Sequence, residues 1–117
     1  MLMVMIAAGF LAQQPLLGPP VEPQFERARE QFDRQMIDYP AARFRDVYGD
    51  RRRLCGYVNG KNRMGAYSGW QRFVISGTES SKLIIEPDDQ IGEIGLMCDG
   101  DDAPPTSPDY SDRLTYR

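Results

Sequence analysis

The stretch 54–75, LCGYVNGKNRMGAYSGWQRFVI, constrains the fold of this chain more than any other. Two runs of strand-forming residues flank a central GKNRMG: Leu54, Tyr57 and Val58 before it, Tyr67, Trp70, Phe73, Val74 and Ile75 after it. β-Branched and aromatic side chains suit a pleated, half-buried surface, and the glycines and asparagines between them suit a chain reversal. The stretch predicts a β-hairpin closed by a polar loop. It also holds the only tryptophan and one of the two cysteines.

More strands lie on either side. Residues 43–48, RFRDVY, alternate and predict a first strand. Gly49-Asp50 turns the chain, and 53–59 returns it with Leu54, Gly56 and Val58 on one face and Cys55, Tyr57 and Asn59 on the other. A third strand is predicted over about 66–76, with Phe73 and Ile75 opposed to Trp70 and Val74. Both faces carry apolar groups, which predicts a sheet covered on more than one side. Residues 77–81 read as a turn, and 82–86, KLIIE, as a short fourth strand broken by Pro87. The run 91–98, IGEIGLMC, fits either a last strand or a helical turn.

Phe25, Ala28, Phe32, Met36 and Tyr39 recur at intervals of three and four, the stripe of an amphipathic helix over 24–38. Pro23 suits its first turn and Pro40 its end. The fold class is therefore α+β: an N-terminal amphipathic helix packed on a small antiparallel sheet of three to five strands. Ahead of it, residues 1–12, MLMVMIAAGFLA, form an apolar signal-like segment, too short to span a bilayer as a helix of about 20 residues. Residues 13–23, with four prolines, read as an extended linker. The domain proper occupies 24–98. Residues 99–117 carry five Asp against two Arg with little aliphatic content, and predict a disordered acidic tail.

A domain of this size buries only roughly 60–65% of its unfolded surface, so a covalent staple matters. Cys55 and Cys98 permit one intramolecular pairing. Loop closure of that length contributes about 4 kcal/mol, and the bond suits an oxidising compartment. The chain carries a net charge of −3, yet residues 43–63 hold Arg43, Arg45, Arg51, Arg52, Arg53, Lys61 and Arg63 against only Asp46 and Asp50. Histidine is absent, which removes the commonest general base and zinc ligand.

The runs DYPAARFRDV and CGYVNGKNRMGAYSGWQRFV together resemble a group of small exported bacterial proteins of unknown function. Their shared pattern, CGxVNxKNxxGxYxGxxxF, is met by Cys55, Gly56, Val58, Asn59, Lys61, Asn62, Gly65, Tyr67, Gly69 and Phe73, with Phe44 in the preceding strand. The resemblance spans about 38–74 and implies a signal peptide followed by a small domain, often with a second cysteine near its end. It implies no activity. This chain differs from the group in having no basic residue ahead of its apolar run.

The candidate ligand site is the loop 59–70, with Asn59, Lys61, Asn62, Tyr67 and Trp70 as its members. Two accounts of it stand. In one, the carboxamides, the ammonium and glycine-freed backbone N–H groups grip a carboxylate, phosphate or sugar. In the other, Asn59 and Asn62 bond their own turn, with Gly60 and Gly65 supplying positive φ. Arg51, Arg52, Arg53, Lys61 and Arg63 with Tyr57, Tyr67 and Trp70 suggest a nucleic-acid-binding hairpin, but the chain is acidic and alternate strand residues face opposite ways. Cys55 lacks a histidine to activate it. Asp88, Asp89, Asp99, Asp101 and Asp102 fall in loops, and DGDD lacks the ligand order of a calcium loop. These residues point to a non-enzymatic exported binding module, periplasmic or secreted, without metal or cofactor. Its partner would be an unknown protein or small molecule of the cell envelope, not nucleic acid. Membrane contact would be limited to the N-terminal segment if that stays uncleaved. The alternative is a small hydrolase-like enzyme using carboxylates that the sequence does not single out.

Overall fold

The computed structural model describes residues 18–77, 81–99 and 108–117. The signal-like segment and residues 13–17 of the linker lie outside them. The fold is α+β, with one four-stranded antiparallel sheet of order β1-β2-β3-β4. Helix α1 (Glu22–Gln35) precedes β1 (Arg43–Gly49), β2 (Arg53–Asn59), β3 (Gln71–Ser76) and β4 (Lys82–Ile85); two short helices follow, α2 (Glu93–Cys98) and α3 (Ser111–Leu114).

Helix α1 has Pro23 in its first turn, where a missing N–H costs nothing. Gln24 closes the start: its Oε1 accepts the Val21 N–H at 3.3 Å, and its Nε2 donates to the Asp50 carbonyl at 2.7 Å. That second bond ties the helix to the β1–β2 turn. The predicted stripe is the buried one, with Phe25, Ala28, Phe32 and Tyr39 in the core and Met36 packed partly against it. The helix stops at Gln35, earlier than the expected residue 38. Met36 leaves it at ψ 143°, and Tyr39–Ala41 form a 3₁₀ turn around Pro40. This lets Tyr39 lay its ring 6.1 Å from Phe32 and donate its hydroxyl to the Leu114 carbonyl. Burial pushes the Tyr39 phenol up to about 12.

The sheet has two covered faces, as the sequence pattern predicts. On the α1 side Leu54, Val58, Phe73, Ile75 and Leu83 join the helix stripe. Phe32 is the centre: Phe44 and Phe73 meet it edge-on at 4.9 and 5.1 Å between centroids. On the opposite side Cys55 and Val74 pack with Ile94 and Cys98 of α2. The disulfide Cys55–Cys98 joins sheet to helix, with Cα atoms 5.9 Å apart, inside the span that a bond can bridge. The undecided run 91–98 is therefore helical at its end. Asp89 makes it so, accepting the N–H groups of Glu93 at 2.7 Å and Ile94 at 3.1 Å in place of a missing helical turn.

Two further expectations need correction. The first strand does not alternate throughout. Arg45 pairs with Tyr57, but Tyr48 pairs with Cys55, so Asp46 and Val47 together oppose Gly56. Asp46 takes a positive φ of 52°, and the resulting bulge reverses the phase of the strand. Phe44 and Val47 both pack in the α1-side core, while Tyr48 packs on the α2 side. Gly56 allows this: a Cβ there would lie 2.9 Å from Val47 Cγ2 and 3.1 Å from Phe73 Cζ.

The second correction concerns the acidic tail, 99–117. Its residues 108–117 are docked, not disordered. The Asp109 carboxylate accepts the bulge N–H groups of Val47 at 3.0 Å and Asp46 at 3.3 Å, and Tyr110 N–H donates to the Val47 carbonyl at 2.8 Å. Leu114 is fully buried, Tyr110 lies 5.5 Å from Phe25, and Arg113 pairs with Glu22. Composition misleads here because one leucine and one tyrosine, placed four apart, are enough to fill a prepared gap. The segment also covers an edge strand whose groups would otherwise stay unpaired.

Phe32→Ala should cost about 3–5 kcal/mol, because the ring is fully buried among three others; chemical denaturation measures it. Burial alone would raise the Asp109 carboxyl, but hydrogen bonds from the Ser111 hydroxyl and from the Val47, Ser111 and Asp46 N–H groups hold it below its ordinary value. A depressed carboxyl stabilises above its unfolded pKa, and the contribution is lost as pH falls through the folded value. Docking of 108–117 should therefore hold at neutral pH and loosen only in acid below the ordinary carboxylate range, read from the NMR signals of the Leu114 methyls. Asp109→Ala should remove about 1 kcal/mol at neutral pH.

Candidate binding surface

The loop between β2 and β3 is built by the two asparagines of the VNGKN run. Asn59 is buried, and its Oδ1 accepts the Gly69 N–H at 3.0 Å. Asn62 Oδ1 accepts the N–H groups of Met64 at 2.9 Å and Ala66 at 3.1 Å, while its own N–H donates to the Ala66 carbonyl at 2.8 Å. Gly65, at φ 81°, completes the reversal in a region that side chains resist. The local-bonding account thus describes both carboxamide oxygens. The loop closes on itself, which is why β3 begins at Gln71 and not near 66: beyond the Val58–Gln71 pair, only an isolated bridge joins Lys61 to Tyr67.

The structure divides the five candidate residues Asn59, Lys61, Asn62, Tyr67 and Trp70. Tyr67 and Trp70 lie with arginines of β1. The Arg43 guanidinium sits 4.1 Å from the Tyr67 ring centroid, and Lys61 Nζ lies 5.4 Å from the same ring. Arg45 lies over two rings, Trp70 at 4.5 Å and Tyr57 at 5.0 Å. The Tyr67 hydroxyl donates to the Ala41 carbonyl at 2.9 Å, which fixes that ring to the chain entering β1. Lys61 and Asn62 also line a groove of about 270 Å³ on the loop's other flank. Asn59 takes no part in either.

Arg43 and Arg45 extend this candidate surface beyond the five residues of the loop. The signal was their spacing: two apart on one strand, they face the same way as Tyr57, which pairs with Arg45 across the ladder. The basic run Arg51–Arg53 does not join them. It sits at the opposite end of β2 from Lys61, about 20 Å away at the usual strand rise. There Asp50 holds the turn, accepting the N–H groups of Arg52 at 2.8 Å and Arg53 at 3.3 Å and the Arg52 guanidinium at 2.9 Å.

The open surface is bounded by α2. Arg72, opposite Tyr57 on β3, grips Asp99 with two bonds of 2.6 and 3.1 Å. The Tyr48 hydroxyl donates to the Cys98 carbonyl, and burial raises its phenol. Beyond this border Trp70 remains 39% exposed. The acidic residue nearest to Arg45 is Asp46, at 3.8 Å on the surface, where such a pair is weak. Arg43 has no ion pair among the described residues.

Among the described residues no group of three or more His, Cys, Asp or Glu could hold a metal, and no helix is long and apolar enough to cross a membrane. Residues 100–102 of the DGDD run lie outside the described part. Among the described residues the Asp50, Asp99 and Asp109 carboxyls are held below their ordinary range, with bonds to arginine, serine or backbone N–H groups outweighing burial. Comparisons of the chain with protein-family profiles, with curated proteins and with solved structures find no match.

Asn62→Ala strips the loop of its two accepting bonds and should lower the melting temperature by several degrees, as about 1–2 kcal/mol would in a domain of this size. Lys61→Ala should leave it within a degree. Thermal unfolding of the two variants side by side checks both.

Proposed function

We propose that this chain is an exported, non-enzymatic binding module that holds a carboxylate-bearing partner of the cell envelope. One observation carries the reading: Arg43 and Arg45 lie over the rings of Tyr67, Tyr57 and Trp70 on the uncovered half of the sheet's α2-side face. A guanidinium supported by an aromatic face loses little freedom when a carboxylate docks on its in-plane donors, and it binds that group through two bonds. Pre-organisation of this kind lowers the entropy cost of association. The surface is also a local exception on a chain of net charge −3, which favours acidic partners by steering. Export is supported by the disulfide, a bond suited to oxidising compartments, and by the signal-like composition of residues 1–12.

Trp70, the single tryptophan, reports on this surface directly. Poly-L-glutamate should change its fluorescence, with an apparent affinity that falls as salt is raised. Arg43→Ala combined with Arg45→Ala should weaken binding about tenfold or more, because each bond to a charged group contributes about 1.5–3 kcal/mol. An unchanged affinity in that double variant would refute the assignment. Tighter binding of a single-stranded oligonucleotide than of the polypeptide would favour the nucleic-acid reading instead.

A further inference from the structure

The groove on the other flank of the loop has a lining of its own and shares only Lys61 with the arginine face. It lies at one end of the sheet, where β2 and β4 both finish. Because β3 runs between them, the two ends stand two strand spacings apart, about 9–10 Å. The end of α1 forms the third wall. Its apolar lining comes from Met36, Ile37, Val58, Ile85 and Pro87. Ile37 is 65% exposed although it borders this concavity.

Charge is segregated across the groove. Lys61 stands on the β2 side, with its Nζ 5.4 Å from the Tyr67 ring and free to swing on a flexible stem, and Glu86 and Asp88 stand on the β4 side. None of the three forms an ion pair among the described residues. Glu86 is held in place through one oxygen, which accepts the Arg72 N–H at 3.0 Å. Asn62 follows Lys61 in the chain and lines the same wall, with its Oδ1 spent on the loop and its Nδ2 donors not engaged there. One wall therefore offers donors and a positive charge, and the facing wall offers carboxylates. The volume of about 270 Å³ falls just under the roughly 300–1,000 Å³ range of drug-sized ligand sites.

We infer that this groove binds a dipeptide-sized zwitterion with an apolar side chain. Its carboxylate meets Lys61 and the Asn62 amide, its ammonium meets Glu86 and Asp88, and its side chain lies on Met36, Ile37 and Pro87. An extended dipeptide fits the gap between the walls: each residue advances about 3.3 Å, and the lining side chains reach inward. A free amino acid would be too short to meet both walls.

The test is a ¹H–¹⁵N NMR titration of the full chain with the dipeptide Ala-Leu, its N-acetylated form and its C-terminal amide. Backbone signals of residues 60–62 and 85–88 should move with the free dipeptide. Each blocking group should weaken binding about tenfold, the value of one charge-assisted bond. Glu86→Gln keeps an acceptor for the Arg72 N–H, so the spectrum should stay folded while affinity for the free dipeptide falls about tenfold. Affinity for the N-acetylated form should not change in that variant. The Arg43→Ala, Arg45→Ala double variant should bind the dipeptide normally, which separates this site from the arginine face. Equal binding of blocked and free dipeptides, shifts confined to the arginine face, or no shift at any of these residues would each overturn the inference.

Discussion

The bulge at Asp46 and Val47, opposite Gly56, is the constraint on which the rest of the structure depends. Without it, β1 would alternate strictly, and Phe44 and Val47 could not both face helix α1. With it, Phe44 and Val47 both join the core around Phe32. The same residue count leaves Arg43 and Arg45 on the other face, beside Tyr57, and turns Tyr48 toward α2. One extra residue therefore fills the core and arms the outer face together. The cost is a positive φ at Asp46 and two outward N–H groups on an edge strand.

Those two N–H groups explain the docked tail. Asp109 accepts both, and Tyr110 adds a bond to the Val47 carbonyl. Once the segment is held there, Leu114 fills the space beside α1, and Tyr39 and Arg29 donate to the carbonyls of Leu114 and Arg113. The interaction is a peptide-in-groove contact made within one chain, where tethering raises the effective concentration. It also explains why β1, although an edge strand, does not present an open template for pairing with other chains.

The two faces of the loop 59–70 serve different chemistry because a hairpin loop has two sides. Tyr67 and Trp70 turn toward the arginines of β1, Asn62 borders the groove near the end of α1, and Lys61 borders both, lining the groove with its Nζ near the Tyr67 ring. The disulfide and α2 cover only the far half of the outer sheet face, which leaves the arginine half open. Burial on the α1 side and staple on the other hold the strands rigid, so that both surfaces stand on fixed backbone.

Local residue order determined the helix stripe, the hairpin at its turn, the faces of β2 and β3, and the one cysteine pair the chain permits. Periodicity, turn chemistry and a count of two cysteines are short-range properties. They are present in Phe25, Ala28 and Phe32, or in Asn62 and Gly65, before any distant contact forms. Only the tertiary structure decided the bulge, the docking of 108–117, and the separation of Arg51–Arg53 from the aromatic surface. Each depends on groups far apart in sequence: Asp46 against Gly56, Asp109 against Val47, Leu114 against Tyr39. The tail's composition is that of a solvated segment, and its order comes from a gap whose walls belong to α1 and β1. Arg43 and Arg45 likewise read as strand charges until the fold lays Tyr67 and Trp70 beneath them. Such features rest on which surfaces meet, and that is a property of the assembled core.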